Sequence, residues 1–404
     1  MPAWARQSML FLMSRSTIEV IMGTAMLGAV GVVAEAGTSV LVRRRREARV
    51  FTTAGLPLAL AFLLFCLSDW ALLWALPRLR LSFSSEIMPP LVISLFVRLL
   101  VFWGLLGAAL LARWRGRRRG VKARPHPAII LFLITNLGFS AVQMTAYVVE
   151  PLLIETTELS LSSADLDSSA PPVRVVHLTD IHIERNSFRE AQVIQKVNAL
   201  QPDIVVLTGD YLNLSRLSDP TSAAHFRQFV AQLDAPYGIY AVRGSVEPTL
   251  ESMAYLMEGT DVMWLEQEAV TVDVHGQSVT LVGAACSHRP ELDAARLAQA
   301  MDGISTDTFT LLLYHSPDLI SEAAEHQVDL YLGGHTHGGQ LRLPFYGAIV
   351  TGSVYGRRYT SGLFEEDSTA MYISRGIGFE GGGMPRARFL CRPEIVSIEL
   401  SGSQ

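Results

Sequence analysis

The sequence contains few cysteines and almost no lysine. Cysteine occurs three times in 404 residues, and no CxxC pair or Cys/His zinc pattern is present, which excludes a thiolate zinc site. We expect buried free thiols, although spacing alone leaves a disulfide between Cys286 and Cys391 open. Lysine is confined to Lys122 and Lys196, so arginine carries nearly all of the positive charge. We attribute that bias to codon usage rather than to function.

Charge and hydropathy divide the chain into two parts. Residues 1–150 hold 17 Lys and Arg against 6 Asp and Glu, a net charge of +11, whereas residues 151–404 hold 16 against 32, a net charge of −16. Half of all residues are hydrophobic and the mean hydropathy is +0.29, which is high for a wholly soluble protein. A basic, apolar first part and an acidic second part predict a membrane region joined to a soluble domain, and they argue against a nucleic-acid partner.

Residues 1–150 are predicted to form an α-helical membrane region of about four spans, at 18–42, 51–76, 91–112 and 128–148. Each approaches the roughly 20 residues that a helix needs to cross a bilayer. The first is the weakest because it contains Glu19 and Glu35. Asp69 and Arg98 lie in the second and third spans. Charges inside a membrane are often functional, but we interpret these two as pairing with each other or lying near an interface.

Two basic loops, 43–49 and 113–124, set the predicted orientation. Positively charged loops stay in the cytoplasm, so four spans place the segment after Glu150 outside. If the first segment does not cross, the basic loops still fix the same orientation. We therefore expect a multi-pass protein of the cell membrane, in contact with membrane lipids, whose second half is extracytoplasmic.

The second half is predicted to be an α/β domain over 173–404, preceded by a Ser- and Thr-rich linker or edge strand at 151–172. Two β-branched runs, 173–180 and 203–210, enclose apolar residues at helical spacing, which predicts a β-α-β unit. Further apolar strands follow, among them 237–244, 308–315 and 328–335.

Several of these predicted strands end in side chains that can bind metal ions. They are Asp180, His182, Asp210, His315, His335 and His337. In extended chain, residues i and i+2 face the same way, so the carboxylate and imidazole of the DxH pair can converge on one ion, and His335 and His337 share that spacing. Mixed carboxylate and imidazole ligands suit manganese, iron or zinc. Each motif alone is weak, but their ordered recurrence after apolar strands predicts a metal site.

The same motifs resemble the calcineurin-like metallophosphoesterase family. The resemblance is carried by DIH (180–182), TGDY (208–211), YH (314–315) and GGHTHGGQ (333–340), and the stretch 374–395 resembles the membrane-associated branch. Over roughly 170–400 it implies two β-sheets packed face to face and flanked by helices, four layers in all, with two divalent ions at one edge. It also implies the ligands: the first ion binds Asp180, His182 and His337, Asp210 bridges, and the second ion binds His315 and His335.

One motif departs from the family pattern. After the strand 237–244 the family places an Asn that binds the second ion, and often a His that assists the leaving group. This chain has Ser245 and Val246 there, with Glu247 keeping an acid. We predict catalytic roles for Asp210, Ser245 and Glu247, a metal contact for Ser245, and a substrate contact for Arg243, since guanidinium matches the geometry of phosphate.

The sequence thus predicts a membrane-anchored, metal-dependent phosphoric ester hydrolase. Its substrate would be a phosphomonoester, phosphodiester or pyrophosphate, attacked by a hydroxide that two metal ions hold. The alternative is a catalytically impaired, non-enzymatic metal- or ligand-binding membrane protein, because Ser245 and Val246 replace the family's Asn and His. Membrane attachment favours a lipid or cell-envelope phosphoester as the substrate, by analogy only.

Overall fold

The computed structural model describes six stretches of the chain: residues 48–79, 88–118, 126–247, 249–305, 307–379 and 386–403. Within them, a helical unit ends at Thr145 and an α/β unit begins at Ala146. The predicted span 18–42 lies outside the described residues.

The described part of the helical unit consists of three apolar helices, α1 (Ala48–Arg78), α2 (Met88–Arg118) and α3 (His126–Met144). By length and composition, one stretch among the described residues, Ile130–Leu152, could cross a membrane. The apolar stretches Leu60–Leu76 and Pro90–Leu105 are shorter than the roughly 20 residues that a span typically needs, so the described helices do not support the prediction of about four spans.

A buried polar cluster joins the three helices. Arg98 of α2 is fully buried, and its Nη2 and Nε atoms each lie 2.6 Å from a carboxylate oxygen of Asp69 on α1. The same guanidinium donates to Asn136 Oδ1 at 2.9 Å and to Gln143 Oε1 at 3.1 Å, both on α3. The prediction that Asp69 and Arg98 pair is confirmed. A buried charge with its hydrogen bonds satisfied is tolerated, whereas an unpaired one is not.

The described part of the α/β unit contains fourteen strands and five further helices. The strands are β1 (Glu155–Ser163), β2 (Val173–Leu178), β3 (Ile204–Leu207), β4 (Ile239–Val242), β5 (Val262–Leu265), β6 (Gln267–Val274), β7 (Gln277–Ala284), β8 (Phe309–Leu313), β9 (Leu330–Gly333), β10 (Arg342–Leu343), β11 (Gly347–Ala348), β12 (Gly362–Glu366), β13 (Thr369–Ile373) and β14 (Glu394–Gly402). The helices are α4 (Phe188–Ala199), α5 (Pro220–Val230), α6 (Leu250–Met257), α7 (Pro290–Met301) and α8 (Ile320–Glu325).

The strands form two six-stranded sheets and one small hairpin. The first sheet has the order β1-β14-β2-β3-β4-β5, and the second has the order β12-β13-β9-β8-β7-β6. Strands β2 to β5 run parallel, as do β7, β8, β9 and β13. Strand β1 pairs with β14, so the start and end of the unit share one edge. The short strands β10 and β11 pair only with each other among the described residues.

Three apolar clusters build the layers. Side chains of both sheets, such as Val206 and Leu311, form a shared core, so the sheets pack face to face. The outer face of the first sheet packs against α4, α5 and α6, and the outer face of the second packs against α7 and α8. Apolar residues on both faces of parallel strands are what such a layered arrangement requires. The predicted α/β fold of two packed sheets flanked by helices is confirmed.

Candidate metal centre

The six residues of the predicted metal site follow four strands of the two sheets. Strands β2 and β3 lead to Asp180, His182 and Asp210, while β8 and β9 lead to His315 and the segment 335–337. Because the strands within each group run parallel, their carboxyl ends meet at one edge. The face-to-face packing of the sheets brings the two edges together.

The first cluster contains Asp180, His182 and His337, and their ligand atoms all lie within 4.8 Å of one another. His182 Nε2 is 3.2 Å from His337 Nε2, and His337 Nε2 is 3.5 Å from Asp180 Oδ1. All three side chains are buried.

The second cluster contains Asp210, His315 and His335, within the same limit of 4.8 Å. Asp210 Oδ2 is 3.2 Å from His315 Nε2, and His315 Nε2 is 3.2 Å from His335 Nδ1. The same oxygen of Asp210 lies 3.8 Å from His182 Nε2 in the first cluster. Asp210 therefore stands between the two clusters.

Five of these six residues adopt positive backbone φ angles, between 48° for His182 and 68° for His335. Such angles are uncommon outside glycine and concentrate at functional sites. The pair 180/182 converges on one cluster as predicted, although the reason given from extended chain is wrong, whereas His335 and His337 enter different clusters. Strand β2 has already ended at Leu178, and a left-handed turn aims both side chains. Gly334 makes room for that turn, since a Cβ there would lie 2.2 Å from Asp180 Oδ2.

Hydrogen bonds to backbone carbonyls set the tautomers of two histidines. His315 Nδ1 lies 2.7 Å from the carbonyl of Thr208, and His182 Nδ1 lies 3.3 Å from that of Leu212. A carbonyl only accepts, so each Nδ1 donates and each Nε2 is the ring nitrogen that faces its cluster. The backbone of His337 is fixed by Cys391, whose Sγ donates to the His337 carbonyl.

The electrostatics of the histidines differ within the site. Burial lowers the pKa of His335 to about 3 and holds the pKa of His337 well below its usual range, so both rings are neutral. Against the effect of burial, the Asp210 carboxylate raises the pKa of His315 to about 10, which shows that positive charge is stabilised there. His337 Nδ1 also has no hydrogen-bond partner among the described residues. Imidazole nitrogens and carboxylate oxygens that face one another in this way are a donor set that fits divalent ions.

Ser245 and Glu247 support Asp210 from the loop after β4. Ser245 Oγ lies 3.1 Å from both carboxylate oxygens of Asp210, to which it donates. Glu247 is buried and accepts hydrogen bonds from the backbone N–H groups of Asp210 (3.1 Å), Tyr211 (2.9 Å) and Gly244 (3.2 Å). These contacts make Glu247 a positioning residue for the Asp210 loop. Its catalytic role and the metal contact of Ser245 stay predictions.

Arg243 lies beside the second cluster but pairs with a carboxylate. Its Nη2 is 2.5 Å from Glu266 Oε1.

Arg243 and Ser245 both line a cavity of about 480 Å³, together with His288. The His288 ring centre lies 4.6 Å from that of His335. No motif singled out His288, and only its place between β7 and α7 could have indicated this edge. His177 is fully buried and contacts Thr208 Oγ1, so it is packed in the interior.

All three cysteines are free, which excludes a disulfide between Cys286 and Cys391. Both of these thiols are buried, as the sequence led us to expect.

Comparisons with known proteins agree with this geometry. The family model described as calcineurin-like phosphoesterase matches residues 173–339. The metallophosphoesterase YkuE of Bacillus subtilis is 30% identical over 63% of this chain and 88% of its own. The phosphodiesterase YaeI of Escherichia coli is 31% identical over 57% of this chain and 83% of its own. The UDP-2,3-diacylglucosamine pyrophosphatase LpxG of Chlamydia trachomatis is 24% identical over 61% of this chain and 89% of its own.

These matches confirm the family resemblance stated from the four motifs. They also confirm the prediction of a metal-dependent phosphoric ester hydrolase. The chain belongs to the calcineurin-like phosphoesterase family.

Proposed function

We propose that this protein is a membrane-anchored phosphoesterase with two divalent ions at the edge shared by its sheets. The observation that carries the proposal is the position of Asp210, whose Oδ2 lies 3.8 Å from His182 Nε2 and 3.2 Å from His315 Nε2. One ion would be held by Asp180, His182 and His337. The other would be held by His315 and His335, and Asp210 would contact both ions. When bound, such an ion pair makes water a strong nucleophile at neutral pH and offsets charge on a phosphoryl group.

The chain's own residues orient this chemistry. Ser245 and the backbone N–H of Val246 (2.9 Å) hold the Asp210 carboxylate in one rotamer. Thr208 and Leu212 direct two imidazoles inward through their carbonyls. The cavity beside Ser245 gives the leaving group a polar place next to His335. Full-length protein supplied with manganese, iron or zinc should cleave an aryl phosphate mono- or diester. Absence of turnover with all three metals would contradict the proposal.

The substrate class that we propose is a lipid or cell-envelope phosphoester. One relative's name specifies a pyrophosphatase of a diacylated sugar nucleotide, and another's specifies a phosphodiesterase. Both are similar to this chain over about three fifths of its length, and the apolar helices α1 to α3 would hold the enzyme at a membrane.

We also propose that the α/β unit lies outside the cytoplasm. The support is the excess of arginine in the segments 43–49 and 113–124, which the positive-inside rule assigns to the cytoplasm. A reporter enzyme that is active only outside the cytoplasm, fused to the C-terminus of the full chain in a bacterial host, should be active. An active cytoplasm-only reporter at the same position would contradict this orientation.

Ser245→Asn is expected to increase affinity for the second ion. The resemblance places an amide oxygen at this position, and the cavity beside Ser245 has room for the larger side chain. We expect half-maximal turnover at about tenfold lower metal concentration, the lower end of what a supporting contact contributes. Metal titrations of activity measure the effect. Thr249→Asn is the matched control, since Thr249 lines the same cavity and Asn retains its role as helix N-cap. Unchanged or weaker metal dependence in Ser245→Asn would contradict the predicted role of this position.

A further inference from the structure

A hairpin beside the metal centre exposes a run of large apolar side chains. Strands β10 and β11 are joined by Pro344, Phe345 and Tyr346, and we call residues 342–354 the apolar hairpin. Phe345 is fully exposed and Val354 is 65% exposed. The exposed large apolar residues of the hairpin are Leu343, Phe345, Tyr346, Ile349, Val350 and Val354. Single exposed apolar residues are ordinary, but a contiguous group of this kind marks an interaction surface.

The structure holds the apolar hairpin in place. Arg357 lies 4.2 Å from the ring centre of Tyr346 and donates to the Tyr346 carbonyl at 3.0 Å. Ser353 Oγ donates to Asp318 Oδ1 at 2.7 Å. Phe345 has a φ of 64°, an uncommon conformation for a bulky side chain. The exposed tip is therefore a built feature of the fold, since strain of this sort persists only where the surroundings maintain it.

The apolar hairpin borders the metal clusters at two points. A Cβ on Gly352 would lie 2.9 Å from His335 Nε2. A Cβ on Gly339, two residues after His337, would lie 2.3 Å from the Cβ of Ala348 in β11. A molecule with its phosphate at the clusters would therefore need only a short extension to reach the hairpin.

The charge around the apolar hairpin differs from that of the rest of the unit. Residues 340–358 contain three arginines and no acidic residue, although residues 151–404 carry a net charge of −16. Arg358 pairs with Glu366, which makes Arg342 and Arg357 the main cations beside the tip. Aromatic and aliphatic side chains flanked by arginine are the composition of segments that enter the surface of an anionic bilayer.

We propose that the apolar hairpin docks on an anionic phospholipid bilayer, with Phe345 and its apolar neighbours at the boundary between headgroups and acyl chains. Docking would present the metal clusters to phosphoesters carried by lipids. The inference rests on the proposed function, in which the apolar helices tether the enzyme to the membrane. A tether raises the effective concentration of the bilayer at the hairpin, so a small patch suffices for docking.

Quenching of a fluorescent label by nitroxide lipids tests directly whether the apolar hairpin docks on the bilayer. The full-length protein is reconstituted in phosphatidylglycerol vesicles, recovered by flotation, and labelled at Phe345→Cys with a polarity-sensitive fluorophore. Lipids that carry a nitroxide near the headgroup should quench this label several-fold more than a label at Met263→Cys, a matched control at an exposed apolar residue of β5. Labelling of the unsubstituted chain corrects for the native cysteines. Equal quenching at both positions would overturn the proposal, as would emission from residue 345 that shifts with protein concentration but not with nitroxide lipid, which indicates a second copy.

A comparison of anionic with neutral vesicles tests the role of arginine. In anionic vesicles, Arg342→Gln combined with Arg357→Gln should weaken quenching at residue 345 by about threefold or more, because each cation near such a surface contributes to binding. In neutral phosphatidylcholine vesicles the two proteins should be alike. Equal quenching in anionic vesicles would overturn the electrostatic part of the proposal.

The fluorescence measurement does not depend on catalysis. The proposed phosphoesterase function and the proposed docking of the apolar hairpin can therefore be contradicted independently of each other. Quenching in a protein without phosphoesterase turnover contradicts the proposed function and supports docking. Turnover without quenching supports the proposed function and contradicts docking. A chain that does not float with vesicles contradicts both the membrane anchor and docking.

Discussion

Asp210→Ala is expected to reduce metal-dependent turnover on an aryl phosphodiester by about 10³-fold or more. The carboxylate is within 4 Å of a ring nitrogen in each cluster, so its loss weakens both ion sites at once. Metal ions contribute several kcal/mol of charge stabilisation in such reactions, and about 1.4 kcal/mol corresponds to tenfold in rate. Asp210→Asn keeps the shape and an acceptor for the Val246 N–H, and should retain more activity than the alanine variant.

The measurement is steady-state turnover across a range of metal concentrations. Asp234→Ala is the matched control, because Asp234 is exposed and is not among the cluster residues. Unfolding curves of each variant separate loss of the site from loss of the fold. An Asp210→Ala protein that is folded and retains more than about a tenth of the turnover would contradict the bridging role, since it would place the loss at no more than about 1.4 kcal/mol.

Glu247→Ala is expected to destabilise the protein by about 3 kcal/mol or more and to lower its metal affinity. The carboxylate accepts three backbone N–H groups of the loops that carry Asp210 and Ser245. Each buried N–H left without an acceptor costs about 1–3 kcal/mol. Because these N–H groups belong to the turn that aims Asp210, the loss should also disturb the ligand.

Glu247→Gln is the conservative comparison for this prediction. It keeps one oxygen acceptor and places an amide NH₂ where the other oxygen stood, so its stability should lie between those of the wild type and Glu247→Ala. Chemical denaturation of the full chain measures stability, and metal titration measures the ligand effect. A Glu247→Ala protein with normal stability but no turnover would instead indicate a direct catalytic role, as the sequence predicted.

The sequence identified the side chains that form the two clusters because they follow strands in recognisable motifs. A β-branched run that ends in DxH, GD or GHTHGG identifies the residue types and the order in which they occur. The β-branched runs 173–180 and 203–210 also predicted the β-α-β unit that β2, α4 and β3 form. What the sequence could not supply is the left-handed turn at Asp180 and His182, because dihedral angles of this kind depend on the contacts around them.

Contacts between distant parts of the chain were also beyond prediction. The pairing of β1 with β14 joins residues more than 230 positions apart, and no local pattern encodes it. Glu247 was selected as an acid near the active centre, whereas the structure shows that it accepts from backbone amides. His288 and the apolar hairpin carried no motif, and only their positions beside His335 give them significance.

The number of metal ions bound per chain tests the central claim most directly. Full-length protein saturated with manganese, freed of excess metal and analysed for metal and protein content should contain two ions per chain. Its turnover should rise with the second equivalent, and Asp210→Ala should hold fewer ions under the same conditions. One ion per chain with full turnover, or two ions that persist in Asp210→Ala, would contradict a dinuclear site bridged by Asp210.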